Sequence, residues 1–94
     1  MELWAPVRPL YDEGRYAEAA DATKALLAGE GGNFPAILYN LACCESLAGR
    51  TDDAIEHLRA SLNGPGTEQT RRLAAEDSDL DPLRDEPAFK ELLG

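Results

Sequence analysis

Aromatic side chains are scarce in this chain of 94 residues, which has one Trp, three Tyr and two Phe, or 6% in all. The hydrophobic fraction of 44% is nevertheless that of a folding chain, so the core must consist mainly of Leu and Ala side chains. A chain of this length has room for one domain with one modest core.

Basic residues are also few, since 9 Lys+Arg stand against 18 Asp+Glu and give a formal net charge of −9. This balance disfavours nucleic acid and anionic membrane surfaces, because both are bound through Lys and Arg. No apolar run approaches the roughly 20 residues of a membrane-spanning helix. The first residues lack the basic and apolar regions of a secretory signal. The sequence therefore predicts a cytoplasmic protein that binds neither nucleic acid nor membranes.

The two cysteines, Cys43 and Cys44, are adjacent. On a helix their side chains would point about 100° apart, which disfavours a disulfide and agrees with a reducing cytoplasm. Together with His57 they fall short of the three or four converging ligands that zinc needs. They also lack the oriented nucleophile and base that catalysis needs. We therefore expect no metal, no cofactor and no enzymatic activity.

Three acidic residues in alternation, Asp77, Asp79 and Asp81, are typical of the start of a calcium-binding loop. Such a loop needs Gly at its sixth position and Glu at its twelfth, where this chain has Pro82 and Ala88. A solvated acidic linker is the expected alternative.

An internal repeat appears when residues 11–27 are aligned with residues 46–62, an offset of 35 residues. The identical pairs are Gly14 and Gly49, Arg15 and Arg50, Ala19 and Ala54, Ala25 and Ala60, and Leu27 and Leu62. Because each Gly-Arg pair separates two segments of helical periodicity, the pattern predicts paired helices joined by glycine turns.

Capping residues and prolines set the predicted helix limits. Thr51 is the expected N-cap of the helix that follows Gly49, and Gly64 with Pro65 is expected to end that helix. Gly29 is the expected terminator of the second helix. The residues expected to form a lid over exposed apolar surface are Leu80, Leu83, Phe89, Leu92 and Leu93. The predicted helical segments are 7–13, 16–28, 35–48, the stretch between Thr51 and Gly64, 67–77, 80–84 and 87–93.

The second repeat resembles the tetratricopeptide repeat (TPR) family, whose units of about 34 residues consist of two antiparallel helices. The family's spacing is kept by Leu38, Leu41, Ala42, Glu45, Ala54 and Leu58. Glu45 stands where the family usually has Tyr, and Pro6 stands where the first repeat should have Leu. The tail from Asp79 to Phe89 resembles endings that are common after bacterial repeats of this kind.

The resemblance implies an all-α fold, a short right-handed superhelix of antiparallel helical hairpins with C-terminal capping helices. Residues 1–94 would then form a single domain. Repeat 1 would span about 3–32, repeat 2 about 35–65, and a partial third repeat with the cap 67–94. In that third repeat, residues 71–74 overlay residues 39–42 at an offset of 32.

In the family, the first helices of successive repeats line a concave groove that receives a peptide. The positions that would face this groove are Trp4, Arg8, Tyr11, Ala36, Tyr39, Asn40, Cys43, Arg71 and Arg72. Family members that bind a terminal carboxylate have Asn at the position of Asn40 and a basic residue at that of Arg72. The other positions of that clamp do not match, because Trp4 replaces Lys and Arg8 replaces Asn.

The expected function is therefore a non-catalytic protein–protein interaction module that binds a peptide or helix in its groove. An acidic or carboxylate-ended segment would suit Arg8, Arg72 and Asn40, since Arg pairs bidentately with carboxylates. In the alternative, Asn40 bonds the backbone and the arginines offset neighbouring acids. A structural or oligomerisation module of a larger protein, such as one fused to a cupin-like barrel, is a second possibility. A Cys/His-dependent enzyme is a remote third.

Overall fold

The computed structural model describes residues 4–30, 35–63 and 66–93, and these residues form only helices and turns. The architecture is therefore all-α, as predicted. The helices are α1 (Arg8–Asp12), α2 (Tyr16–Glu30), α3 (Pro35–Leu47), α4 (Thr51–Ser61), α5 (Glu68–Glu76), a 3₁₀ helix (Ser78–Leu83) and α6 (Pro87–Leu93). Among the described residues, none of these helices is both long and apolar enough to cross a membrane.

Three of the predicted helix limits are corrected. Helix α2 continues to Glu30, past the expected stop at Gly29, because Gly29 keeps a helical backbone rather than a positive φ. Thr51 is the first residue of α4, and the N-cap position belongs to Arg50, whose side chain makes no capping hydrogen bond. Helix α1 covers five residues, fewer than the predicted segment 7–13. The expected stop at Gly64 and Pro65 lies outside the described residues.

The two Gly-Arg turns have the same geometry, as their shared sequence predicts. Gly14 has a φ of 77° and Gly49 a φ of 84°. The N–H of Arg15 donates to the Leu10 carbonyl at 2.9 Å, and the N–H of Arg50 donates to the Glu45 carbonyl at 2.8 Å. These bonds satisfy carbonyls at the ends of α1 and α3 in the manner of a Schellman motif.

Gly49→Ala is expected to destabilise the protein by about 1–2 kcal/mol, because alanine pays for a left-handed backbone that glycine adopts freely. A Cβ at this position would meet nothing within 4 Å, so the loss of stability would come from the backbone conformation and not from a steric clash. Gly29→Ala is the matched control. It lies in a helix, is equally uncrowded, and should stabilise by up to about 1 kcal/mol. Urea unfolding of both variants checks the opposite signs.

Helix α3 lies at the centre of the molecule and is buried on every side. Nine of its thirteen residues are buried, which is typical of a helix enclosed by others. It packs against α2, α4 and the 3₁₀ helix. One apolar cluster joins α3 to α1 and α2 through Val7, Ala20 and Leu41.

A second cluster joins α3 and α4 to the C-terminal segments, and its members include Leu58, Leu80, Leu83 and Phe89. Leu80 and Leu83 are fully buried and Phe89 nearly so. The expected lid is therefore confirmed at these three positions, and it is an integral part of the core.

Candidate binding cleft

Two adjoining cavities follow one side of α3. The first, called here the aromatic cavity, has a volume of about 200 Å³, and the second, the α3–α5 cavity, has about 570 Å³. Tyr39, Asn40 and Asp77 line both, so the cavities form one cleft. The aromatic cavity is lined by Trp4, Arg8, Tyr11, Tyr39, Asn40, Cys43, Asp77 and Asp79. It therefore brings together six of the nine residues predicted to face a groove, and a seventh, Ala36, lines the α3–α5 cavity.

The acidic segment at Asp77–Asp79 lies against this cleft and is not the solvated linker that the sequence suggested. The Tyr39 hydroxyl donates to Asp77 Oδ2 at 2.7 Å, and the Tyr11 hydroxyl donates to Asp79 Oδ2. The Ser46 hydroxyl donates to the Asp79 carbonyl at 2.7 Å. Burial of Leu80 in the following 3₁₀ helix brings these carboxylates onto α1 and α3. The protein's own tail thus forms one wall of the cleft.

The N-terminal end of the cleft is built on Trp4, which is only 5% exposed and is as much a core residue as a cleft residue. Its indole N–H donates to Thr23 Oγ1 at 3.0 Å, so the buried ring keeps a polar partner. Tyr11 packs edge-on against it, with ring centroids 5.7 Å apart. The Arg8 guanidinium lies 5.5 Å from the indole centroid, within the range of a cation–π contact.

Three side chains that line the aromatic cavity have raised pKa values. The hydrogen bond to Asp79, followed by burial, raises the pKa of the Tyr11 phenol. Burial, followed by the hydrogen bond to Asp77, raises the pKa of the Tyr39 phenol. Burial, followed by the charge of Asp77, raises the pKa of the Cys43 thiol. These groups are consequently hydrogen-bond donors at neutral pH, and the thiol is not an activated nucleophile.

Three potential metal ligands meet at the same place. Cys43 Sγ and carboxylate oxygens of Asp77 and Asp79 all lie within 4.8 Å of one another. The hydrogen bonds from Tyr11 and Tyr39 already account for the position of both carboxylates. The arrangement therefore explains how the tail is held without calling for an ion.

The α3–α5 cavity is not lined by the two arginines that the third repeat was expected to contribute. Helix α5 presents Thr70 and Leu73 to α3, together with Asp77 at its C-terminal end. Arg71 instead donates to the Leu92 carbonyl and lines a separate cavity beside α4 and α6. Arg72 is exposed and lines neither cavity of the cleft.

The overlay at an offset of 32 equated Leu73 with the buried Leu41, but Leu73 is 54% exposed. Since successive helical residues are about 100° apart, a rotation of α5 by one residue position exchanges the faces of Leu73 and Ala74. Leu73 and Ala74 are both apolar, and the periodicity alone could not decide which of them is buried.

A buried charged cluster beneath the cleft was not predicted as a unit. Glu45 of α3 is fully buried, and its Oε1 lies 2.5 Å from His57 Nδ1 of α4. Lys24 Nζ of α2 lies 3.5 Å from Oε2, an ion-pair distance without hydrogen-bond geometry among the described residues. The sequence signal was present, because Glu45 interrupts the apolar stripe of α3. His57 is therefore the hydrogen-bond partner of the buried Glu45 carboxylate.

The buried thiols lead to a test of reactivity. Burial, with smaller contributions from Asp79 and Glu45, raises the pKa of Cys44 from 9.0 to about 11. Alkylation at pH 8.5 should therefore be at least about tenfold slower in the folded protein than in urea. Stability should also fall above pH 9, because the unfolded thiols lose protons that the folded ones retain. Timed iodoacetamide labelling with mass spectrometry measures the first effect, and equal rates in both states would contradict it.

Comparison of the chain with protein-family models, with curated protein sequences and with solved structures finds no match. The function is therefore argued from the cleft and its residues.

Proposed function

We propose that this protein is a non-catalytic protein–protein interaction module of the TPR type, which binds an extended segment of a partner protein in the α3–α5 cavity. The repeated Gly-Arg turns support the TPR assignment, because they recur at 35 residues with the same hydrogen bonds. Paired helices that stack in this way leave a concave side suited to peptides.

The observation that carries the proposal is the exposure of Leu73 in the wall of an open cavity. It is the one large hydrophobic side chain among the described residues that is clearly exposed. The Asn40 side chain lines the same cavity and makes no hydrogen bond to any other described residue. An exposed apolar anchor beside an amide with unused donors and acceptors is suited to an extended backbone.

The test compares two variants that place the same residue on the same helix. Leu73→Glu puts a charge into the cavity, whereas Gln69→Glu puts one at an exposed position of α5 outside it. Neither side chain is in the core, so both variants should fold. A ¹⁵N-labelled sample is titrated with short extended peptides of basic, neutral and acidic character.

We expect a binding peptide to shift resonances of α3 and α5, with Tyr39, Asn40 and Leu73 among them. Leu73→Glu should weaken that binding at least about tenfold, as for an interface anchor, and Gln69→Glu should leave it within about twofold. Shifts confined to other surfaces, or equal binding by both variants, would overturn the proposal. Sedimentation velocity at increasing concentration accompanies the titration. If the unmodified protein self-associates and Leu73→Glu does not, the cavity binds a second copy of the chain and not a partner protein.

A further inference from the structure

We infer that the partner segment carries a basic side chain, Lys or Arg, next to the apolar side chain that contacts Leu73. The inference rests on the proposed function and adds the chemistry of the ligand. It reverses the sign of charge that the sequence suggested, because Arg71 and Arg72 do not line the cleft.

The charge of the α3–α5 cavity comes from Asp77, the one charged residue among the described residues that line it. Its Oδ2 accepts from the Tyr39 hydroxyl at 2.7 Å and from the Cys43 thiol at 3.9 Å, and its Oδ1 accepts from the N–H of Asp79 at 3.0 Å. A carboxylate has about four lone-pair sites, so it can accept further bonds from a ligand. Asp79 and Arg8 line the adjoining aromatic cavity, so the cleft as a whole has two carboxylates against one guanidinium among its described lining residues.

Two arginines near the C-terminal end of the cleft, Arg84 and Arg71, have other hydrogen-bond partners. Arg84 donates to the Ala75 carbonyl at 2.9 Å and to the Asp77 carbonyl at 2.8 Å, and also to the Asp81 carboxylate. It thereby satisfies carbonyls at the end of α5, and among the described residues its side chain makes no bond to the Asp77 carboxylate. Arg71 is held by the Leu92 carbonyl.

The net charge of the whole chain also favours a basic ligand segment. A net charge of −9 attracts a cationic segment and repels an anionic one at distances up to the Debye length. Within the cavity, a ligand carboxylate beside Asp77 would lose solvent and meet a charge of the same sign, which is a costly arrangement. A lysine or arginine side chain would instead lay its aliphatic part along Leu73 and place its charge at the carboxylate.

Three synthetic peptides test this inference on the full chain. They have the same length and one central leucine, and the residues on either side are both lysine, both glutamine or both glutamate. In 50 mM salt we expect the lysine peptide to bind at least about tenfold tighter than the glutamine peptide, and the glutamate peptide more weakly still. In 500 mM salt the advantage of lysine should shrink severalfold, because the charges are screened.

Asp77→Asn provides a second measurement, since the amide oxygen still accepts a hydrogen bond from Tyr39. This variant should bind the lysine and glutamine peptides about equally. Asp85→Asn, which removes the same charge at an exposed position outside the cavity, should preserve the preference for lysine. If Asp77→Asn fails to fold, the peptide series and its salt dependence decide the matter.

Equal binding of the lysine and glutamine peptides by the unmodified protein, or tighter binding of the glutamate peptide, would overturn the inference and leave the proposed function standing. Binding of none of the three, together with none from the wider peptide screen, would overturn the proposed function itself.

Discussion

His57→Ala is expected to destabilise the protein by about 3 kcal/mol, the lower end of the range for removing one partner of a buried ion pair. Glu45 is fully buried, and the His57 ring nitrogen 2.5 Å away is its principal partner. Without the ring, the carboxylate keeps only Lys24 at 3.5 Å, and the Lys24 side chain is 42% exposed. Urea unfolding monitored by circular dichroism at neutral pH measures the loss.

A double-mutant cycle separates the unpaired charge from lost packing. Glu45→Met has a similar volume and removes the charge, so the variant with both Glu45→Met and His57→Ala should be more stable than His57→Ala alone. Lys24→Ala, the control for the exposed partner, should cost less than about 1 kcal/mol. Additive losses in the cycle would show that Glu45 and His57 are not energetically coupled.

Leu80→Ala is expected to cost about 2–5 kcal/mol, because it removes a fully buried side chain and leaves a cavity under the 3₁₀ helix. Leu80 packs in the same cluster as Tyr39 and Leu58, so its truncation removes contacts from the core and from a residue that lines the cleft. The hydroxyl bonds from Tyr11 to Asp79 and from Tyr39 to Asp77 depend on this segment being in place. Thermal unfolding gives the loss of stability.

Leu73→Ala is the matched substitution, since Leu73 is also in the C-terminal third of the chain but lies exposed in the α3–α5 cavity. Its stability should change by no more than about 0.5 kcal/mol. Similar losses of stability for Leu80→Ala and Leu73→Ala would contradict the conclusion that Leu80 belongs to the core and Leu73 to an open wall of the cleft.

The repeat and its turns could be predicted because local chemistry determines them. Gly14 and Gly49 each adopt the positive φ that only glycine takes without strain, and the Arg that follows each of them supplies the same backbone bond. Pro35 and Pro87 stand at the first positions of α3 and α6, where proline suits a helix start. The all-α architecture follows from such signals along the chain.

The resemblance to the TPR family placed six of the residues that line the aromatic cavity in a groove. Tyr39, Asn40 and Cys43 recur at helical spacing on α3, and once α3 is central these three residues share one side. The C-terminal wall could not be predicted in this way. Whether Arg71 or Leu73 faces α3 depends on the rotation of α5, which is decided by its packing and not by its own periodicity.

The sequence marked Glu45 as unusual but did not mark Asp77 and Asp79, and for none of them did it show the partners. Glu45 interrupts an apolar stripe, so the sequence marks it as unusual, yet its partners Lys24 and His57 come from other helices. Asp77 and Asp79 look like solvated acids in the sequence. Their bonds to tyrosines 38 and 68 positions away exist only after the tail folds back.

The sequence by itself thus determined the helical architecture and the glycine turns, since these follow from backbone preference and periodicity over short distances. Only the tertiary structure decided how α5 is rotated, which carboxylates line the cleft and what neutralises Glu45. Each of these depends on side chains distant in the chain that burial of Leu80, Leu83 and Phe89 brings together.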